Sequence, residues 1–135
     1  YLDDLAGGGT VADLLSATQR RSVLSVKSTE AIRAVASLMR EHGVSQVPVL
    51  EEGRVSGIVT EAGVLNHLLD HPGAAKEPVG QIVVNSYSAV DVDTRIGVLA
   101  DMFTRVKMAL VMQDDQLVDV ITKIDVIDYV SKGNR

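Results

Sequence analysis

The sequence predicts an α+β fold of tandem motifs: two α-β-α-β-β-α repeats packed through their sheets with pseudo-two-fold symmetry. Three observations carry this expectation. The chain is similar to itself, helix and strand periodicities follow the same order in both copies, and the apolar residues are valine-rich and nearly free of aromatics. Shifted by 62 positions, Gln46-Val47-Pro48-Val49-Leu50 falls on Met108-Ala109-Leu110-Val111-Met112, and Val55–Thr60 falls on Leu117–Thr122. Earlier segments align at an offset of 64, setting Ser25-Val26 on Ala89-Val90 and Ile32, Val35 and Met39 on Ile96, Leu99 and Phe103. The openings also match, Thr10-Val11-Ala12-Asp13-Leu14 against Pro78-Val79-Gly80-Gln81-Ile82. Self-similarity of this kind is the signature of duplicated architecture.

Each copy reads in order. A short helix opens it (Val11–Ala17; Val79–Val83), and a brief strand follows around Leu24–Val26 or Ala89–Val92. Then Ile32, Val35, Ala36 and Met39 recur at helical spacing, with Ser28 or Thr29 as N-cap and Gly43 as the stop. In copy two, Asp93 or Thr94 caps a helix whose apolar face is Ile96, Leu99, Ala100 and Phe103. A β-hairpin comes next, turning at Glu52-Gly53 or at Asp114-Asp115. A last helix spans Glu61–Leu69 or Lys123–Val130. The expected division is a lead-in at 1–9, motif one at 10–69, a linker at 70–77, motif two at 78–131 and a tail at 132–135. Gly7-Gly8-Gly9 marks the lead-in, and Asp70–Pro78, rich in Gly, Pro and charge, marks the linker.

Composition excludes several classes. The 135 residues include no cysteine and no tryptophan, with a net charge of -5. Without cysteine there is no disulfide framework, thiolate metal site or thiol nucleophile. An acidic chain without a basic patch is a poor match to nucleic acid. No apolar run approaches the roughly 20 residues that cross a bilayer. The start Tyr1-Leu2-Asp3-Asp4 carries no signal peptide, and the lack of cysteine is compatible with a cytoplasmic address. A start at Tyr rather than Met suggests a fragment.

Thr122 and Asp125 form the sharpest pair. As Thr-x-x-Asp ahead of an apolar helix they read first as a capping box. A helix start also offers N–H donors to a ligand, and a carboxylate beside it can accept both hydrogens of a ribose diol. His67 and His71 at i,i+4 lack a third ligand and read as a surface pair at a helix end. Ser28, Ser86 and Ser88 have no partner His and Asp to make a hydrolase. Gly7-Gly8-Gly9-Thr10 lacks the lysine of a phosphate loop.

The repeat, its strand order and the apolar-apolar-Thr-x-x-Asp signature (Val120-Ile121-Thr122-Lys123-Ile124-Asp125) resemble the paired CBS motif, or Bateman module. The resemblance covers residues 10–131. More narrowly, Gln46-Val47-Pro48-Val49, Gly57-Ile58-Val59-Thr60 and the closing Ile121–Val130 look like the C-terminal regulatory region of cystathionine β-synthases. The resemblance implies a module without catalysis and without a cofactor of its own, which binds an adenosyl ligand, S-adenosylmethionine first and AMP, ADP or ATP otherwise. It implies that Thr122 and Asp125 hold ribose and that Val44, Val47, Val120 and Ile124 sandwich adenine, with Gln46 in the same strand-entry segment. A second, degenerate site would use Thr60, Gly63, Lys107 and Ala109, with Gly63 standing where the aspartate should be. As partners it implies a catalytic domain carrying pyridoxal phosphate, outside this chain, and a second copy in a homodimer. No dense Arg/Lys cluster awaits a phosphate, which favours S-adenosylmethionine.

Overall fold

The computed structural model describes residues 8–18 and 23–132. Of the expected lead-in only Gly8 and Gly9, and of the expected tail only Lys132, fall among the described residues. The chain divides into two units: a continuous one, Leu24–Tyr87, and a discontinuous one that joins the described residues up to Val23 to those from Ser88 onward. These units do not follow the repeat boundaries at 10–69 and 78–131. The opening of each repeat packs in the unit built by the other.

The cause is the need to satisfy helix N-termini. The first free amides of each long helix take carbonyls from the opening segment of the other repeat. Ile32 N–H donates to Glu77 O at 2.9 Å, with Val79 N–H returning to Glu30 O at 2.7 Å. Likewise Ile96 N–H donates to Gly9 O at 3.0 Å, while Val11 N–H reaches Thr94 O at 2.8 Å. Backbone acceptors thereby replace the side-chain caps expected at Ser28, Thr29, Asp93 or Thr94. The actual N-caps are Ala31 and Arg95, neither of which caps its helix through a side chain.

In the continuous unit the elements are β1 (Val26–Lys27), α2 (Ile32–His42), β2 (Gln46–Glu51), β3 (Arg54–Thr60) and α3 (Glu61–Asp70). These follow α1 (Val11–Ala17), which belongs to the discontinuous unit. The sheet order is β1-β2-β3, parallel at Val26↔Val49 and antiparallel at Gln46↔Thr60. Helix α2 buries the stripe Ile32, Val35 and Met39 on Val26, Val47, Val49 and Val59. It ends at Gly43, whose φ of 65° lets Val44 N–H return to Met39 O at 3.0 Å. Both hairpin turns have left-handed central residues, Glu52-Gly53 (φ 51° and 79°) and Asp114-Asp115 (φ 52° and 64°). That geometry matches the right-handed twist of the flanking strands.

The expected linker at 70–77 is built structure. Helix α3 runs through Asp70, a 3-10 turn covers Ala74–Lys76, and Ala74 is buried. The second repeat's opening helix is likewise a 3-10 turn, Val79–Ile82, with Val79 in the core. Val84 then exchanges two hydrogen bonds of 2.9 Å with Ile58, covering the free edge of β3.

The discontinuous unit holds β4 (Ser88–Val90), α4 (Ile96–Met102), β5 (Met108–Gln113), β6 (Gln116–Thr122) and α5 (Lys123–Ser131), in sheet order β4-β5-β6. Its core joins Val11 and Leu14 of α1 to Ile96, Leu99, Phe103, Val111, Ile121, Val126 and Tyr129. Each such side chain contributes roughly 1.5–3 kcal/mol by leaving water, so α1 is held there by its own apolar face.

Candidate functional site

In the discontinuous unit β6 ends and α5 begins at Thr122. Asp125 Oδ2 accepts from Thr122 N–H at 2.8 Å and from Thr122 Oγ1 at 3.2 Å. The carboxylate is half-buried at the helix start, where the positive end of the dipole favours an anion. A carboxylate has lone pairs beyond these two bonds, so the box and a diol can use the same group. Val120, half-buried, and Ile124, 66% exposed, flank it on the same segment. Met108 lies opposite Thr122 and Ala109 opposite Ile121.

The continuous unit repeats this junction with one difference. Thr60 Oγ1 accepts Gly63 N–H at 2.9 Å, but Gly63 returns no carboxylate. Gln46 lies opposite Thr60, and Glu61 N–H donates to Ser45 O at 3.0 Å. The structure therefore brings Val44, Gln46, Thr60 and Gly63 together in one unit and Val120, Thr122, Ile124, Asp125 and Ala109 in the other. Val47 and Ala109 are fully buried members of their cores, which is where a strand valine or alanine goes by default. Lys107 is exposed just before β5.

Sequence reasoning missed two features. One is a groove of about 610 Å³ in the continuous unit along α2 and α3, lined by Met39, Arg40, Val44, Glu61, Val64 and Leu65. The Met39–Val44 and Glu61–Leu65 spacings could have suggested it only if the packing of the two helices were known. The other is a second Thr-x-x-Asp box at α1: Asp13 Oδ2 accepts Thr10 N–H at 2.9 Å and Thr10 Oγ1 at 3.3 Å. Its signal was present in the same spacing as Thr122 and Asp125. Beside it lies Tyr129, 2% exposed. Burial first, and the Asp13 carboxylate second, push its phenol above the ordinary value.

His67 and His71 stack with ring centroids 4.7 Å apart, and the His71 ring Nδ1 lies 3.3 Å from His67 O at the C-terminal end of α3. Among the described residues no group of three His, Cys, Asp or Glu could hold a metal ion. No described helix is long and apolar enough to cross a membrane.

Comparison with known proteins follows the same lines. The family model for the CBS domain matches residues 11–70. Cystathionine beta-synthase of Dictyostelium discoideum is 24% identical over 134 residues, covering 95% of this chain and 26% of that protein. Hypoxic response protein 1 of Mycobacterium tuberculosis is 42% identical over 52 residues, covering 38% of this chain and 36% of that protein. The chain thus spans roughly a quarter to a third of the curated relatives' length. The crystal structure of CBSX2 in complex with AMP has a TM-score of 0.77 and 23% identity, covering 95% of this chain and 100% of that one. Residues 11–70 thus match the CBS domain family, and the chain as a whole has the fold of a CBS pair.

Proposed function

We propose that the chain is a regulatory module that binds S-adenosylmethionine at Thr122 and Asp125 and controls an attached, pyridoxal-phosphate-dependent cystathionine β-synthase catalytic domain in the cytoplasm. The observation that carries this reading is the asymmetry of the two junctions. Both keep the threonine, and only the Thr122 junction keeps a half-buried carboxylate at the helix start. The ribose diol takes the carboxylate, and adenine rests on Val120 and Ile124 of the same segment. The Gly63 junction lacks the acceptor and stays weak or vacant.

Charge supports a cationic ligand. From Leu117 to Lys132 the chain carries Asp119, Asp125 and Asp128 against Lys123 and Lys132, with Lys132 paired to Asp128 at 3.0 Å, which leaves a net charge of -1 and no cluster of cations. Such a segment suits a sulfonium better than a phosphate, which draws on clustered Arg or Lys. The reading of an AMP sensor is favoured by one specific observation, the AMP held by the similar CBSX2 structure. As part of the same proposal the module pairs with a second copy through its helices.

Calorimetry with S-adenosylmethionine, AMP, ADP and ATP decides among these. The expected result is one site per chain for S-adenosylmethionine, with affinity lost by about tenfold or more in Asp125→Ala, in line with removing a charge-assisted hydrogen-bond partner. Tighter binding of AMP transfers the assignment to the nucleotide. No heat with any of the four ends the ligand-sensing reading.

A further inference from the structure

Helix α5 has a chemical feature at each end. At its start is the Thr122–Asp125 box. One helical turn later on the same stripe (i,i+4) is Tyr129, buried with Val126 in the core shared with Val11 and Leu14. The Tyr129 hydroxyl lies so close to the backbone of Gly9 that a Cβ there would approach it to 2.8 Å and Asp13 Oδ2 to 3.1 Å. The phenol therefore stands at the Thr10–Asp13 box, where the N-terminal segment enters α1. That segment is also fastened by the buried Val11 and Leu14 and by backbone bonds: Val11 N–H to Thr94 O, Ala12 N–H to Val92 O at 2.9 Å, and Ile96 N–H to Gly9 O. All these groups belong to the discontinuous unit.

Side chains at i and i+4 are neighbours on one helix face, so Asp125 and Tyr129 ride on the same hydrogen-bonded turn of α5. We infer that α5 ties the state of its Thr122–Asp125 end to the docking of residues 8–17, with Tyr129 as the positioning residue that carries the link. The ligand arm of this inference rests on the proposed function, and the mutational arm does not. By linkage the effect is reciprocal: whatever tightens the docking of 8–17 tightens binding at the box by the same factor.

Amide hydrogen exchange on the full chain tests it. In the absence of ligand, Asp125→Ala lowers protection of the Val11 and Ala12 amides by about fivefold or more, the lower end of typical couplings. In a Tyr129→Phe background, which keeps the ring and the core, the same change lowers it by less than about twofold. Thr122→Ala serves in place of Asp125→Ala if that variant fails to fold. S-adenosylmethionine then raises protection of the same amides in the wild type and not in Tyr129→Phe. Unchanged Val11 and Ala12 amides in Asp125→Ala, or an equal drop in both backgrounds, overturns the link. A chain that binds none of the four adenosyl compounds yet shows the mutational coupling loses the proposed function and keeps the link. A chain that binds S-adenosylmethionine with no response at 8–17 and no mutational coupling loses the link and keeps the function.

Discussion

Gly57 shows how one missing side chain shapes a unit. It lies within β3 opposite Val49, and a Cβ there would come within 2.3 Å of Val84 O and 2.5 Å of a Val83 methyl. Its φ of 154° also favours glycine. The segment that covers the β3 edge can approach only because nothing projects from this position. Gly57→Ala should force Val83 and Val84 off the sheet and cost about 1–3 kcal/mol, the range for overpacking with backbone displacement. Urea denaturation measures this, and a loss below about 1 kcal/mol would show that the segment yields freely. At this scale the sequence was partly legible. Thr122 and Asp125 stood out because a carboxylate three residues after a threonine has a physical reason to be there. The same spacing at Thr10 and Asp13 stands directly ahead of the helix expected at Val11–Ala17 and passed unnoticed all the same. Val47 and Ala109, candidates for ligand slots, are fully buried in their cores, and a small apolar residue in a strand reads alike whether it lines a cleft or fills a core.

At the scale of elements, the strands, hairpin turns and long helices follow from periodicity and turn chemistry, with bounds displaced by a residue or two. The caps do not. Ser28, Thr29, Asp93 and Thr94 are good cap residues locally, yet the helices start later because Glu77 O and Gly9 O reach their first amides. A carbonyl more than 40 residues away leaves no local trace. The exchange of openings was hidden for the same reason. The packing of α5 on α1 yields a pH prediction. The Tyr129 phenol is raised by burial and then by Asp13. Below the unfolded value of about 10 both states are protonated and the term is neutral. Above it the unfolded chain loses its proton first, so stability falls as pH rises toward the folded value. Tyr129→Phe should flatten this alkaline decline and leave stability near neutrality within about 1 kcal/mol, apart from the lost hydroxyl contact. Thermal melts from pH 8 to 11 test it, and an unchanged alkaline slope would remove Tyr129 from the account.

The whole molecule carries an internal comparison that bears on assembly. The repeats have diverged at the ligand junction, Gly63 against Asp125, yet both keep an exposed apolar residue at the equivalent position of the closing helix. Leu65 is 58% exposed and Ile127 is 54% exposed. Each has a second exposed apolar neighbour on its own helix, Leu69 of α3 at 69% and Ile124 of α5 at 66%. Leaving such side chains in water forgoes about 25 cal/mol per Å², and contiguous exposed apolar surface marks a contact face. Leu65 also lines the groove along α2 and α3, so one face offers both a projecting residue and a recess. A surface with both is suited to meet itself across a two-fold axis, because an isologous contact pairs each feature with its complement on the other copy. The proposed homodimer, closed through the helices, is tested on this face. Sedimentation equilibrium should give twice the chain mass for the wild type. Leu65→Glu with Ile127→Glu should give the single-chain mass, with the isolated fold destabilised by no more than about 1 kcal/mol because both positions are exposed. Ligand binding at Thr122 and Asp125 should survive in the monomer, since neither substituted side chain belongs to that box. A wild type that sediments as a single chain at every accessible concentration would leave these apolar faces to a different partner, and a double variant that stays dimeric would move the contact away from α3 and α5.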